Sequence, residues 1–343
     1  MTLPSSPKIS VVIPAFNASS HIEECLQYVE ASEFKEFEVL LVDDGSTDDT
    51  AAKIASYPAR VLKNETNLGA AASRDRGAQE ARANLILFID SDILIPPDLL
   101  SRIWKFFEEH SEVSVLQGRY ADTPYYPNLL SQYKHFIFSF RGLERGQTYV
   151  HYVHTACAAM RKDIFREFQF DERLKRREDI EFGHRLSQNG RLIFADSTLT
   201  VGHKKKYDLF SFSVYQFQAA RGLVLQHLLA NEKSLARELN AKDQPLYKKL
   251  WLLRPVLSVL ALWGFIGLVR GGGAWVLFFF VGIFIVSFLL EYKFRLYLLQ
   301  RAPLSISLAA CWLYFYDGCL ISVGALSGLA QAMVRKVPFG GRE

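Results

Sequence analysis

The stretch LILFIDSDILIPPD (residues 85–98) opens as an uncharged β-type run and ends on two carboxylates, Asp90 and Asp92, one residue apart. Side chains alternate along an extended chain, so both carboxylates are expected to face one object. Like charges held that close need solvent or a cation between them. By itself the segment also fits a solvated strand end followed by a helix start, with Pro96 and Pro97 at the boundary.

The surrounding chain favours a site. KISVVIP (8–14) is a β-rich run closed by proline, and HIEECLQYVE (21–30) has helical spacing. EFEVLLVDD (36–44) gives a second strand, with Ser46 or Thr47 placed to cap a helix through DDTAAKIAS (48–56). ARVLKN (59–64) is a short third strand, LGAAASRDRGAQEARA (68–83) a small-residue helix, and LILFID a fourth strand. Near-continuous apolar strands alternating with helices predict an α/β fold, a doubly wound, mostly parallel sheet covered on both faces. Ligands in such sheets bind beyond the carboxyl ends of the strands. Phe16 and Asn17, Asp43 and Asp44, Asn64 and Asn67, and Asp90 and Asp92 fall at those four ends. There is no GxGxxG after the first strand and no GxxxxGK[ST], which excludes the usual dinucleotide and P-loop phosphate cradles.

An Asp-x-Asp facing a crevice is suited to a hard divalent cation, Mg²⁺ or Mn²⁺, which can bridge a diphosphate and stabilise it as it leaves. The acidic pair after the second strand can accept from a base N–H or a ribose hydroxyl. A nucleoside diphosphate substrate would use both. In LKRREDIEFGHRLSQNG (174–190), Glu178 and Asp179 fall at a helix N-terminus, where the dipole favours the ionised form and a carboxylate can serve as general base. The same residues also fit a capped helix with a charged face.

ISVVIPAFN (9–17), VLLVDDGSTDDT (39–50), NLGAAASRDRGAQEA (67–81), LILFIDSDILIPPDLL (85–100) and RREDIEFGHRL (176–186), in this order, resemble family 2 glycosyltransferases of the GT-A fold across roughly residues 8–205. The resemblance implies sugar transfer from a nucleotide sugar with inversion at the anomeric carbon. It implies Asp44 as the base-binding aspartate, with Pro14, Phe16 and Asn17 lining the same pocket. Arg74 matches the arginine of the family's Ala-Arg-Asn segment, with Asp75 where Asn is common. Asp92 is implied as the direct metal ligand, with Asp90 nearer the ribose or metal. Asp179 is implied as catalytic base, with Glu178 the alternative. His203, in VGHKKKYD, lies where related enzymes sometimes supply a histidine to metal or diphosphate. Gln218 and Arg221, in YQFQAARGL, resemble the Gln-x-x-Arg-Trp segment of membrane polysaccharide synthases, but Gly222 replaces the tryptophan, which argues against a processive polymerase.

Half of the 343 residues are hydrophobic, 26 of them Phe. Beyond Lys249 come three long apolar runs, 255–269, 271–290 and 302–334, with Asp317 the one charged residue among them, expected to meet lipid. The expected domains are a GT-A domain (1–210), an amphipathic or interfacial connector (211–249) and a transmembrane region (250–343) of three or four spans. The start, MTLPSSPKIS, has no apolar leader region, so the first domain is expected in the cytosol of a multi-pass membrane protein. Lys248, Lys249 and Arg254 before the first run, and Lys293, Arg295 and Arg301 after the second, give an in-out-in hairpin. Asp317-Gly318 is a turn signal at which the last run would double back towards Arg335, Lys336 and Arg342. The 173–177 basic group and Lys204–Lys206 read as contacts to anionic lipid or as attractors of a phosphorylated acceptor. A net charge of +4, with its basic clusters local, implies no nucleic acid. The four cysteines show no metal spacing and are expected reduced and packed.

The expected partners are therefore a nucleotide-diphosphate sugar, a lipid-linked or glycan acceptor and membrane lipids. Two rivals remain: a polyprenyl-phosphate sugar synthase, whose acceptor needs little base catalysis, and a non-catalytic membrane-bound sugar-nucleotide sensor.

Overall fold

The computed structural model describes residues 6–143, 146–174, 176–229 and 253–336. The chain divides into two compact units, Met1–Pro127 with Ile137–Lys206, and Asn128–Phe136 with Tyr207–Glu343.

In the first unit β1 (Ile9–Ala15), β2 (Phe37–Asp43), β3 (Arg60–Lys63) and β4 (Leu85–Ile89) run parallel, separated by α1 (Ile22–Glu30), α2 (Thr50–Ala55) and α3 (Ala70–Glu80). There follow β5 (Ile93–Leu94), α4 (Leu99–Glu109), β6 (Val113–Tyr120), α5 (Leu129–Leu143), β7 (Gln147–Val150), β8 (Cys157–Arg161), α6 (Glu178–Gln188) and β9 (Leu192–His203). The sheet order is β3-β2-β1-β4-β8-β6-β9-β5, with β7 also on β9. β8 lies antiparallel between β4 and β6, β6 and β9 are parallel, and β5 and β7 run against β9. The sheet is therefore mixed and mostly parallel.

Both faces are covered because successive strand residues serve opposite sides. Val11, Ile13, Val39, Leu41, Leu87 and Ile89 pack towards α1 and α4, while Val12, Leu40, Val42, Ile86 and Phe88 join Ala71 and Ala78 of α3 and Phe182 of α6. Each such side chain, fully buried, is worth roughly 1.5–3 kcal/mol. The small residues of α3 have a steric reason: a Cβ on Gly77 would sit 2.3 Å from Val12 Cγ1 of β1.

The second unit is helical. α7 (Leu209–Leu229) packs on the helix Leu304–Lys336, and Gly324 and Gly328 set the closeness, since a Cβ there would lie 2.3 Å from Phe217 O and 2.9 Å from Arg221 O. Spaced four apart in an apolar helix, these glycines are the small-residue pattern that lets two backbones approach. Asp317-Gly318 does not turn the chain; the helix is continuous through both. Asp317 is buried and accepts from Gln216, which in turn accepts from buried Lys134, so its carboxylate is satisfied without a break.

Among the described residues, one helix (Leu304–Met333, 30 residues) is long and apolar enough to cross a membrane, or two if the pair Ala274–Leu290 and Tyr292–Arg301, bent by 71°, makes one span. The first run of the expected in-out-in hairpin forms a helix shorter than the usual span over its described residues. Arg254–Val269 has 16 residues, about 24 Å at 1.5 Å per residue, against a hydrocarbon core of about 30 Å. The connector beyond residue 229, with Lys248, Lys249 and Arg342, lies outside the described residues.

Candidate functional site

The loops after β1 and β2 lock onto each other. Asn17, held at φ +48°, accepts from Thr47 N (2.9 Å) and Thr47 Oγ1 (3.2 Å), and its own N–H donates to Ser46 Oγ (3.1 Å). Thr50 Oγ1 accepts from Ala18 N at 2.7 Å. Pro14 ends β1 half-buried and Phe16 projects 46% exposed, an apolar surface beside these loops. Asp44 is buried: Oδ1 accepts from Asn64 Nδ2 (2.7 Å) and Leu68 N (3.0 Å), and Oδ2 from Gly69 N (2.8 Å). It thereby ties the second strand end to the start of α3, leaving about one lone-pair direction for a further donor. Gly45 is required here, since its φ is +72° and a Cβ would lie 2.7 Å from Thr66 C.

Asp90 and Asp92 hold different partners within the protein. β4 stops at Ile89, and Ile93 N donates to Asp90 O (3.0 Å) across a turn, so the alternation of an extended chain ends before the motif. Asp90 Oδ1 pairs with Arg74 Nη2 at 2.8 Å. Asp92 Oδ2 lies 3.7 Å from His203 Nε2 and 3.4 Å from Lys205 Nζ. His203 arrives because β9 pairs with β5 opposite Ile93, and its ring stacks on Tyr120 with centroids 4.4 Å apart. The residue between the two aspartates, Ser91, is hydrogen-bonded to His21 Nε2 (3.2 Å) at the start of α1. Burial opposes ionisation of Asp92, but His203, Lys205 and His21 outweigh it and hold the carboxyl well below the usual range. Burial in turn lowers the His21 imidazole, against the pull of Asp92.

A third group forms where α6 begins. Arg74, 5% exposed, donates from Nη1 to Glu178 Oε1 (2.7 Å) while its Nη2 holds Asp90. Asp179 Oδ2 lies 3.7 Å from His154 Nδ1 and accepts from Thr155 N at 3.4 Å. Gly183 permits this juxtaposition, because a Cβ there would fall 2.3 Å from Val153 N and 2.6 Å from Tyr152 C. The two adjacent carboxylates are driven apart. Burial, with Asp179 alongside, raises Glu178 despite Arg74; for Asp179 burial is overcome by His154, Arg74 and the Ile180 N–H, and its pKa falls. Such a split marks Asp179 as the group kept charged.

His21, Ser91, His154 and Gly183 were not singled out in the sequence, and Lys205 only as part of a basic run. Lys204–Lys206 is not a free basic face: Lys205 points at Asp92, and Lys204 bonds Glu24 Oε2 at 2.5 Å. In the 173–177 group, Arg173 pairs with Asp171 at 2.6 Å, and Lys175 lies outside the described residues. Arg221 belongs to the helical unit, where Nε and Nη2 donate to Gln331 Oε1 at 3.0 and 2.6 Å, and Gln218 is exposed on the same helix. Cys25 and Cys157 are buried free thiols.

Among the described residues no three His, Cys, Asp or Glu side chains gather into a metal cage. Asp92, in the turn before β5, and His203 of β9 nevertheless offer an oxygen and an imidazole nitrogen. The carboxylate suits a hard divalent cation completed by substrate phosphates and water, and the imidazole is an additional nitrogen donor. Asp90 holds Arg74 through Oδ1 with its side chain 37% exposed.

Residues 10–169 match the family model for glycosyl transferase family 2. An uncharacterised protein of Mycobacterium tuberculosis is 39% identical over 111 residues, 32% of this chain and 35% of that protein. A dolichol-phosphate mannosyltransferase of Pyrococcus furiosus is 27% identical over 135 residues, 36% of this chain and 38% of that protein. The chain thus spans little more than a third of the length of these curated relatives. Among solved structures, mannosyltransferase PcManGT of Pyrobaculum calidifontis in complex with GDP-Man and Mn²⁺ superposes with a TM-score of 0.56 at 14% identity, over 96% of this chain and 88% of that one, which shows a common fold. Sequence motifs and sheet topology agree that the α/β unit has the GT-A fold, and residues 10–169, a little under half of the chain, are those that resemble glycosyl transferase family 2.

Proposed function

We propose that this protein is an inverting, metal-assisted glycosyltransferase that moves a sugar from a nucleotide-diphosphate donor to a hydroxyl of a lipid-linked glycan acceptor. The observation that carries the reading is the convergence of Asp92 with His203, and of Asp90 with the Glu178–Asp179 helix start through one shared guanidinium. Pro14, Phe16, Asn17 and Asp44 bind the nucleoside: Phe16 offers an exposed ring to a base, and Asp44 accepts from it with its remaining lone pair. Asp92 and His203 would hold a divalent cation, Mn²⁺ or Mg²⁺, which when bound would supply positive charge to the departing diphosphate. Lys205 adds a second cationic group on the same side. Asp179, kept ionised, takes the proton of the acceptor hydroxyl as its oxygen attacks the anomeric carbon and the bond to diphosphate breaks. His154, 3.7 Å away and partly exposed, helps to keep that carboxylate charged.

The Pyrobaculum neighbour's complex with GDP-Man and Mn²⁺ supports this donor and metal class. The lipid acceptor and membrane anchoring rest on the Leu304–Met333 helix and on exposed Trp263, Trp275, Phe278 and Trp312 in the helical unit. A GT-A domain over 1–210 on the cytoplasmic side, with residues 211–249 at the interface and 250–343 in the bilayer, is the organisation proposed.

The match to a dolichol-phosphate mannosyltransferase favours one second reading, transfer to a polyprenyl phosphate. Nucleoside diphosphate release from a panel of nucleotide sugars, in detergent, with and without Mn²⁺, tests the main reading. Transfer by Asp179→Asn is expected to fall at least about 100-fold with donor affinity kept. Full transfer by that variant to a polyprenyl phosphate would establish the second reading. Binding without turnover of any donor leaves only the sensor.

A further inference from the structure

We infer that Arg74 is a positioning residue that makes one rigid body of the two acidic motifs, acting on the donor only through Asp90 and Glu178. The kinetic part of this inference rests on the glycosyl-transfer reading. The side chain is 5% exposed, and each terminal nitrogen is engaged, Nη2 on Asp90 Oδ1 at 2.8 Å and Nη1 on Glu178 Oε1 at 2.7 Å. Its Nε is buried without an acceptor, and the guanidinium carbon lies 6.0 Å from the Phe170 ring centroid. So little of the guanidinium is open that direct contact with a nucleotide is disfavoured, in contrast to the pocket role implied by the Ala-Arg-Asn resemblance.

The anchor is firm, because α3 is seated on β1 at Gly77 with no space for a Cβ. The object it holds is not firm by itself. Arg177, just before α6, has φ +63°, a conformation that a residue with a side chain rarely adopts, so local preference does not set the approach to Glu178. Two charge-assisted bonds to a fixed fork do set it. Asp179 is the next residue, so its place relative to the Asp90–Asp92 turn is inherited from Arg74.

An ammonium cannot reproduce the fork. In the full chain in detergent, with a donor that the wild type turns over, Arg74→Lys is expected to keep KM for that donor within about threefold and to lower kcat about tenfold or more. A KM that rises in step with an unchanged kcat would mean direct donor contact and overturn the inference. A melting cycle needs no activity: Arg74→Met, Glu178→Leu and their combination. The double variant is expected to melt no lower than Arg74→Met alone, because Glu178 without Arg74 is an unpaired buried charge. Melting shifts that simply add would overturn the bridge. If the wild type transfers from no donor, the transfer reading fails while this cycle still decides the role of Arg74.

Discussion

Asp75→Asn should stabilise this protein, by an amount that depends on pH. Asp75 lies in α3 beside Arg74, buried, with Oδ2 accepting from Phe170 N at 2.9 Å and Oδ1 buried without a donor. Burial, with Glu172 adding repulsion, pushes its carboxyl from the ordinary 3.8 up to about 7, against the Phe170 N–H, Arg185 and Arg74. The folded form therefore keeps this proton to near neutrality, whereas the unfolded chain releases it near 3.8. Its favourable contribution is complete below that lower value, erodes as pH climbs, and is lost once pH passes the folded value. At about 1.4 kcal/mol per tenfold in proton affinity, the full penalty is on the order of 4 kcal/mol, an upper bound. Asparagine accepts from Phe170 N equally well and ionises at no pH. Thermal unfolding in detergent at pH 5 and pH 8 should show a higher Tm for the variant at both, with the gap at pH 8 at least about twice that at pH 5, where the wild type has so far lost about 1.7 kcal/mol. The gap at pH 8 is expected to approach about 10 °C. A variant-minus-wild-type difference that is flat with pH, or negative at pH 8, would refute the reasoning.

Gly183→Ala must separate α6 from the 152–153 segment by about 1 Å to relieve the 2.3 Å approach to Val153 N. A cost of about 1–3 kcal/mol in stability and a loss of up to about 100-fold in transfer are expected; wild-type Tm and rate together would contradict the packing account. Because Asp179 ionises below the usual range, kcat should hold as pH drops through that range and fall only below it. His154→Gln should move that acid limb to higher pH, and an unmoved limb would remove His154 from the site. Burial pushes the Cys157 thiol up to about 12 and the Cys25 thiol higher still. Native protein should therefore resist iodoacetamide at both positions until unfolded, as peptide mapping would report; modification of either in the folded state would show that the core opens.

The first four strands were legible because strands buried on both faces read as continuous apolar runs, and the polar residues closing each run marked the site edge. What could not be read is what comes from pairing between distant segments. The turn at Ser91 sends Asp90 and Asp92 to different partners, and only the seating of β5 on β9 shows that His203 and Lys205 meet Asp92. His21 and His154 carried no local pattern; they matter because α1 and the segment before β8 end where the motifs lie. Arg74 was expected among the donor-binding residues, and a sequence does not show that Glu178, 104 positions on, claims one arm of its guanidinium. Asp317-Gly318 misled for a related reason: a turn dipeptide gives way when a neighbouring helix satisfies the carboxylate.

The two glycines of the long apolar helix have a mechanical consequence. With Gly324 and Gly328 pressed to the backbone of α7 at Phe217 and Arg221, the contact works like meshed gear teeth. Sliding by one turn would drive Leu320 or Ala332, which lie a turn beyond the glycines, towards backbone positions that tolerate no Cβ. Any movement of α7 must therefore carry the long helix with it, and the pair behaves as a single lever.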